Sequence, residues 1–103
     1  MKKIKKVTVH ARTRITARAK AIIQYCGDTC ADFQIMESPL HANTLILRWL
    51  SIDISDIDRP RQCYQYECFE PDGTPMHCSI FYDTPAEEEA FYLSLQFIET
   101  ITL

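Results

Sequence analysis

The five cysteines and one of the three histidines, His77, are the residues whose types and spacing most directly suggest chemistry in this chain. Thiolates and imidazoles bind zinc, and zinc sites favour close ligand pairs separated by about two to four residues. One combination could meet in space, namely Cys26, Cys30, Cys68 and His77. The alternative is that the cysteines are small buried apolar residues and that the histidine lies on the surface. We favour this alternative and predict neither a metal nor a cofactor.

Catalysis by a cysteine nucleophile is a second chemical hypothesis. Cys68 and His77 would face each other across a hairpin, and a neighbouring histidine can activate a thiol. No third side chain that would orient the histidine is evident, and the chain has no glycine-rich phosphate loop and no Ser/His/Asp pattern. The sequence therefore predicts a protein that is not an enzyme and has no catalytic residues.

Charge is distributed very unevenly along the chain. Residues 1–20 hold eight Lys and Arg and no Asp or Glu, whereas residues 21–103 hold three basic and fourteen acidic residues. Basic side chains on one face could contact phosphates, which gives nucleic-acid binding as an alternative function. Its candidate residues are Lys6, Arg12, Arg14, Arg18 and Lys20. We rank it second because the pI is about 5.5 and no aromatic side chain lies among these residues to stack on a base.

Neutralisation of the basic segment by the acidic remainder of the chain, or by a dimer partner, is the competing interpretation of this charge distribution. A second candidate surface is an aromatic face on the predicted hairpin. Tyrosine-rich patches are enriched at protein interfaces. The candidate partner-binding residues are Tyr64, Tyr66, His77 and Phe81. The alternative is that another layer of the same chain covers them.

The N-terminal segment that must position the basic residues is ambiguous between strand and helix. Residues 4–12 alternate β-branched and polar side chains, which predicts a strand. Residues 16–26 are rich in helix formers, with Thr16 as the candidate N-cap and Gly27 where a C-terminal glycine would stand. We predict a strand over 4–12 followed by a helix over 16–26. The alternative is one long strand that turns at Gly27.

The middle of the chain reads as strands. The predicted strands are 31–37, 44–55, 62–70 and 75–83. The strand over 44–55 should be central, because its first half is apolar on both faces. Asp72 and Gly73 give a strong tight-turn signal between the last two strands. Pairing about this turn places Phe69 opposite Met76.

The last predicted element is a helix over 85–99. Thr84 and Glu87 match a capping box, and Pro85 occupies the first helical position. The apolar side chains of this helix would cover an arc of about 200°, wider than the ~100° needed to lie on one sheet. We therefore predict that the surplus face forms a homodimer interface. Its candidate residues are Phe91, Leu93, Leu95, Phe97 and Ile98.

These elements predict a single α+β domain over residues 1–103. Its mostly antiparallel sheet has four or five strands, the two helices pack on it, and the order is about β-α-β-β-β-β-α. No run of about 18 apolar residues predicts a membrane helix, and the N-terminus lacks the apolar segment of a secretory signal. We predict a small cytoplasmic protein-binding module of inhibitor, adaptor or regulator type. It is expected to form a homodimer and to bind an unidentified protein partner.

Overall fold

The computed structural model describes residues 7–26, 30–38, 44–53, 58–59, 61–79 and 84–102. Its elements are α1 (Val9–Cys26), β1 (Cys30–Glu37), β2 (Leu45–Asp53), β3 (Arg61–Phe69), β4 (Pro75–Ser79), α2 (Pro85–Ser94) and β5 (Gln96–Thr100). The strands form one sheet in the order β4-β3-β2-β1-β5, and every neighbouring pair is antiparallel. The predicted α+β class is confirmed, and the order agrees roughly, although the described part begins with a helix and ends with a strand.

Helix α1 contains the helix predicted over 16–26 but begins at Val9. The predicted strand over 4–12 is therefore wrong from residue 9 onward, while residues 4–6 lie outside the described part of the chain. The competing prediction of one long strand turning at Gly27 is also wrong, because residues 9–26 are helical.

The cap of α1 is Thr8 rather than Thr16. The Thr8 hydroxyl accepts a hydrogen bond from the backbone N–H of Ala11 at 3.1 Å, which satisfies one of the unpaired donors of the first turn. The helix buries one face at helical spacing through Ala11, Ile15, Ala19 and Ile22. Because alanines favour helices and fit both periods, the alternation of the sequence did not exclude this structure.

Strand β2 is the middle strand of the sheet, as predicted for 44–55, and residues 54–55 lie outside the described part. Leu45, Leu47 and Trp49 point to the side covered by α1 and join its core. Ile46 points to the opposite side, where it joins a second core with Met36. Both faces of β2 are covered, which is why its alternating positions are apolar on both sides.

The β3–β4 hairpin is confirmed, but its predicted register is wrong. Phe69 pairs with Pro75 rather than with Met76, and Glu67 pairs with Ser79, with an irregularity between the two pairs. Gly73 adopts φ +89° in the turn, and its N–H donates to the carbonyl of Glu70 at 2.9 Å. The Glu70 N–H donates to the Thr74 carbonyl at 2.8 Å, so three residues, 71–73, form the loop instead of the two assumed from the sequence, and the pairing shifts by one residue.

The C-terminal helix begins as predicted but is shorter. The Thr84 hydroxyl accepts from the N–H of Glu87 at 3.2 Å, and Pro85 is the first helical residue. The helix ends at Ser94, so the predicted helix is wrong over 95–99. These residues lead into β5, which pairs with β1. Here the open edge of β1 overrides local helix propensity.

The two helices lie on opposite faces of the sheet. The α1 side holds the larger core, which includes Ile15, Phe33, Leu47 and Trp49. The α2 side holds a smaller core of Met36, Ile46, Tyr66, Cys68 and Leu95, with Tyr64, Phe91 and Tyr92 packed against it. Neither helix within the described residues is long and apolar enough to cross a membrane.

Candidate functional site

The most unusual feature of the described residues is a buried arginine in the middle of the central strand. Arg48 points to the α2 side of the sheet and is 7% exposed. Its guanidinium lies between two tyrosine rings, with the Cζ atom 3.4 Å from the centroid of Tyr64 and 4.0 Å from that of Tyr92. Such cation–π contacts are worth ~2 kcal/mol or more when they are desolvated. The strand β3 and the helix α2 each supply one of the two rings.

Two hydrogen bonds fix the plane of the guanidinium. Its Nε donates to the hydroxyl of Tyr66 at 3.0 Å, and its Nη1 donates to Oε1 of Gln34 at 3.0 Å. These partners lie directly beside Arg48, because it pairs with Gln34 on β1 and with Tyr66 on β3. The register of three neighbouring strands therefore places the donor between its two acceptors.

The counter-charge reaches Arg48 through a tyrosine. The Tyr66 hydroxyl donates to the carboxylate of Glu88 on α2. No ion pair joins Arg48 to a carboxylate in the ranges that the structure describes. The positive charge of Arg48 is thus compensated indirectly, because the guanidinium donates to the Tyr66 hydroxyl, which in turn donates to the Glu88 carboxylate. This relay through Tyr66 also ties α2 to the sheet. We call Gln34, Arg48, Tyr64, Tyr66, Glu88 and Tyr92 the Arg48 cluster.

Burial raises the pKa of the Tyr66 hydroxyl above its ordinary value, and its hydrogen bond to Glu88 raises it further. In the unfolded chain a tyrosine ionises near pH ~10. Because the folded pKa is the higher one, this contribution to stability is complete below about pH 10 and is lost as the pH rises through the folded value.

We therefore expect the stability of the protein to fall by up to about 1.4 kcal/mol per pH unit above pH ~10 from this one group. Urea unfolding at several alkaline pH values measures the slope. The Tyr66→Phe variant is the control, since it lacks the ionising hydroxyl and should show a shallower slope. Equal slopes for the two proteins would show that Tyr66 ionises alike in the folded and unfolded chain.

The Arg48 cluster changes the interpretation of the predicted aromatic face. Tyr66 is 1% exposed and Tyr64 is half-buried, because α2 covers this side of the hairpin. Tyr66 therefore does not offer an exposed surface to a partner. The side chain of His77, and all of Phe81, lie outside the described residues. The alternative that another layer of the chain covers this face holds for Tyr66, and the layer is α2 rather than α1.

The basic residues of α1 contact acidic and hydroxyl groups of the same chain. Arg12 donates from Nη2 to Glu99 at 3.0 Å, and Arg18 donates from Nη2 to Glu67 at 2.9 Å. Glu99 and Glu67 lie in one row of the sheet, separated by Ile35 and Leu47. The two arginines therefore bind carboxylates on either side of the helix.

A third arginine contacts the hairpin turn. Arg14 donates to the hydroxyl of Thr74 at 3.0 Å and lies 3.7 Å from Asp72. Lys20 is exposed, and Lys6 lies outside the described residues. The basic residues thus share a helix rather than one flat strand face, and neutralisation within the chain accounts for three of them. Nucleic-acid binding stays a prediction to which these contacts add no support.

The cysteines do not converge in the way that the zinc hypothesis requires. Cys30 is buried in the α1-side core, whereas Cys68 is buried in the α2-side core. Two thiols on opposite faces of one sheet cannot bind the same ion. The side chains of Cys26 and His77 lie outside the described part. Among the residues that are described, no three potential ligands form a metal-binding group.

The residues of the predicted dimer interface are divided between three environments. Leu95 is buried in the α2-side core, Phe91 packs against that core, and Ile98 packs against the core of the other face. Only Leu93 and Phe97 are largely exposed, at 72% and 51%. A single helical interface of all five residues is therefore wrong. We call Leu93, Phe97 and the outer edge of β5 the α2–β5 surface.

Comparison with known proteins identifies no relative of this chain. No protein-family model, no curated protein and no solved structure matches the chain at a significant level.

Proposed function

We propose that this chain is a small protein-binding module of inhibitor, adaptor or regulator type, and that the α2–β5 surface is its contact surface. The observation that carries the proposal is the exposure of Leu93 and Phe97 next to the terminal strand of the sheet. Large apolar side chains that cluster on a surface mark interaction sites, whereas single ones need no explanation.

The remaining exposed apolar residues are scattered over other elements. Val9 is at the start of α1, Tyr25 is near its end, and Met76 is on β4. The α2–β5 surface differs because two such residues are four positions apart across the junction of a helix and an edge strand. A few buried aromatic anchors supply much of the affinity in protein interfaces, and this is the role that we assign to Phe97.

The rigid mounting of this surface also supports the proposal. The Arg48 cluster ties α2 to the sheet through Tyr92 and Glu88. Strand β5 is paired with β1, the next strand of the sheet. Leu93 and Phe97 are thus presented by elements that are already ordered. A preformed surface loses less conformational entropy when it binds a partner.

Site-specific photocrosslinking tests this proposal. The full chain is prepared with a photoreactive phenylalanine in place of Leu93, and a matched protein carries it in place of Tyr25, which is 93% exposed on α1. We expect defined protein adducts from position 93 that disappear when Phe97→Lys is added, and few from position 25. Equal adduct yields at both positions, or adducts that ignore Phe97→Lys, would contradict the proposal.

A further inference from the structure

The two edges of the sheet differ in how they are protected against further pairing. Natural edge strands carry proline, lysine or other charges that discourage the addition of a strand. The edge strand β4 begins with Pro75. The edge strand β5 has the sequence QFIET and contains no proline and no basic residue, and no further strand of the described residues pairs with its outer edge. Both edge strands pair with their neighbours through a register irregularity, so this feature does not distinguish them. Among the described residues, the β5 edge is therefore the less protected of the two.

The single charge of β5 is already neutralised. Glu99 accepts hydrogen bonds from Nε and Nη2 of Arg12 at 2.5 and 3.0 Å. When two copies of β5 approach each other, this ion pair removes most of the repulsion between their glutamates. A like copy of the strand is therefore electrostatically acceptable as a neighbour.

The apolar residues beside this edge lie on one side of the sheet. Phe97 pairs with Met36, whose side chain belongs to the α2-side core, and paired residues share a face. Leu93 belongs to the helix that covers the same face. Antiparallel neighbours in a sheet are related by a two-fold axis perpendicular to it, so both copies would keep α2 on the same face. The exposed apolar side chains of both copies would then lie on the same face of the joined sheet, with Phe97 of each copy on the paired strands.

We propose that the partner at the α2–β5 surface is a second copy of this chain, whose β5 pairs antiparallel with β5 to form a continuous ten-stranded sheet. This inference rests on the proposed function and names its partner. The interface is isologous, because each residue near the axis faces itself or its close neighbour. It covers Leu93 and Phe97 and pairs the backbone of an edge that no other strand of the described residues occupies.

Analytical ultracentrifugation of the full chain across the micromolar range tests the inference. We expect a concentration-dependent increase toward twice the 12.0 kDa mass of one chain. Phe97→Lys should weaken the dimer at least about tenfold, because it places a charge at the centre of the edge and removes an apolar anchor. The matched control is Met76→Lys, which changes a 40% exposed apolar residue on the other edge strand and should leave the dimer unchanged.

Three results would overturn the inference. They are a monomer at every concentration, a dimer that withstands Phe97→Lys, and a dimer that Met76→Lys disrupts. Deletion of residues 1–6 adds a further test. A chain that dimerises only after this deletion would overturn the inference for the full chain, because its own N-terminal segment would then be the occupant of the surface. Adducts at position 93 with a different protein, together with a monomeric chain, would overturn the dimer while leaving the proposed binding function intact.

Discussion

Replacing Arg48 with alanine is expected to destabilise the fold by about 3–5 kcal/mol, the range found when large buried groups or buried charge partners are removed. The substitution leaves a cavity between Tyr64 and Tyr92 and removes the cation–π contacts of the guanidinium with these two rings and with the more distant ring of Tyr66. It also leaves the side-chain oxygen of Gln34 without the donor that it now has. Urea unfolding followed by circular dichroism measures the change in the free energy of unfolding.

Two companion variants separate packing from charge. Arg48→Met keeps much of the volume without the charge, and buried charges replaced by apolar groups of similar size often cost little. We therefore expect it to be less destabilising than Arg48→Ala by about 2 kcal/mol. Arg48→Lys keeps the charge but not the planar group that stacks between the rings, so it should remain clearly destabilised. A loss below about 1 kcal/mol for Arg48→Ala would contradict the role given to the cluster.

Glu88→Gln tests whether the carboxylate acts as the counter-charge. In the wild-type background it neutralises the carboxylate to which the Tyr66 hydroxyl donates, whereas in the Arg48→Met background the buried charge of Arg48 is absent. We expect the two substitutions to couple by about 1 kcal/mol in a double-mutant cycle, which isolates the interaction from their separate effects. Purely additive effects would show that the relay through Tyr66 carries no charge compensation.

The features that the sequence predicted well are those set by neighbouring residues. The start of α2 follows from Thr84, Pro85 and Glu87, which act within one turn. The turn at Gly73 and the central position of β2 also follow from local composition and from apolar residues on both faces. Each of these signals is complete within about ten residues of sequence.

The features that were missed depend on contacts between distant segments. Local propensity continues the last helix past Ser94, but β1 offers a pairing edge that turns residues 96–100 into a strand. The beginning of α1 combines a local signal, the cap at Thr8, with a distant one, the packing of Ala11 on the sheet side. Alternation of period 2 and period 3.6 cannot be separated when the apolar positions are mostly alanine.

The sequence contains a signal for the Arg48 cluster, but this signal does not identify the partners of the arginine. A charged residue in the middle of TLILRWLS, the most apolar strand, must find compensating partners when it is buried. Its partners come from β1, β3 and α2, and their identity requires the register of the sheet. The sequence therefore marks the position of the cluster, while the fold supplies its members.

Replacing Gly73 with alanine is expected to have the second large effect, a loss of roughly 2–5 kcal/mol, from a strained backbone and an overpacked contact together. Gly73 has φ +89°, a conformation that residues with a Cβ rarely adopt. It also lies against α1, where an added Cβ would be 2.8 Å from Cα and 2.9 Å from the carbonyl oxygen of Ala11. These are backbone atoms, so a rotamer change cannot relieve the contact.

A matched control separates the two causes of this loss. Asp32 is a non-glycine residue at φ 58° that is exposed, so Asp32→Gly changes a positive-φ position without a close approach. It should alter stability by no more than about 0.5–1 kcal/mol, since relief of strain and added freedom of the unfolded chain oppose each other. Thermal and urea unfolding of both variants give the comparison. A Gly73→Ala protein as stable as wild type would require α1 to lie farther from the turn.

The Gly73→Ala substitution should also weaken the contacts of Arg14, because this residue of α1 binds the same turn. Arg14 donates to the hydroxyl of Thr74, the residue after the glycine. A helix displaced by the new methyl group would move away from that hydroxyl. The substitutions Arg14→Ala and Gly73→Ala should therefore be less than additive, by about 0.5 kcal/mol or more. Strict additivity would mean that α1 keeps its position and that backbone strain alone accounts for the cost.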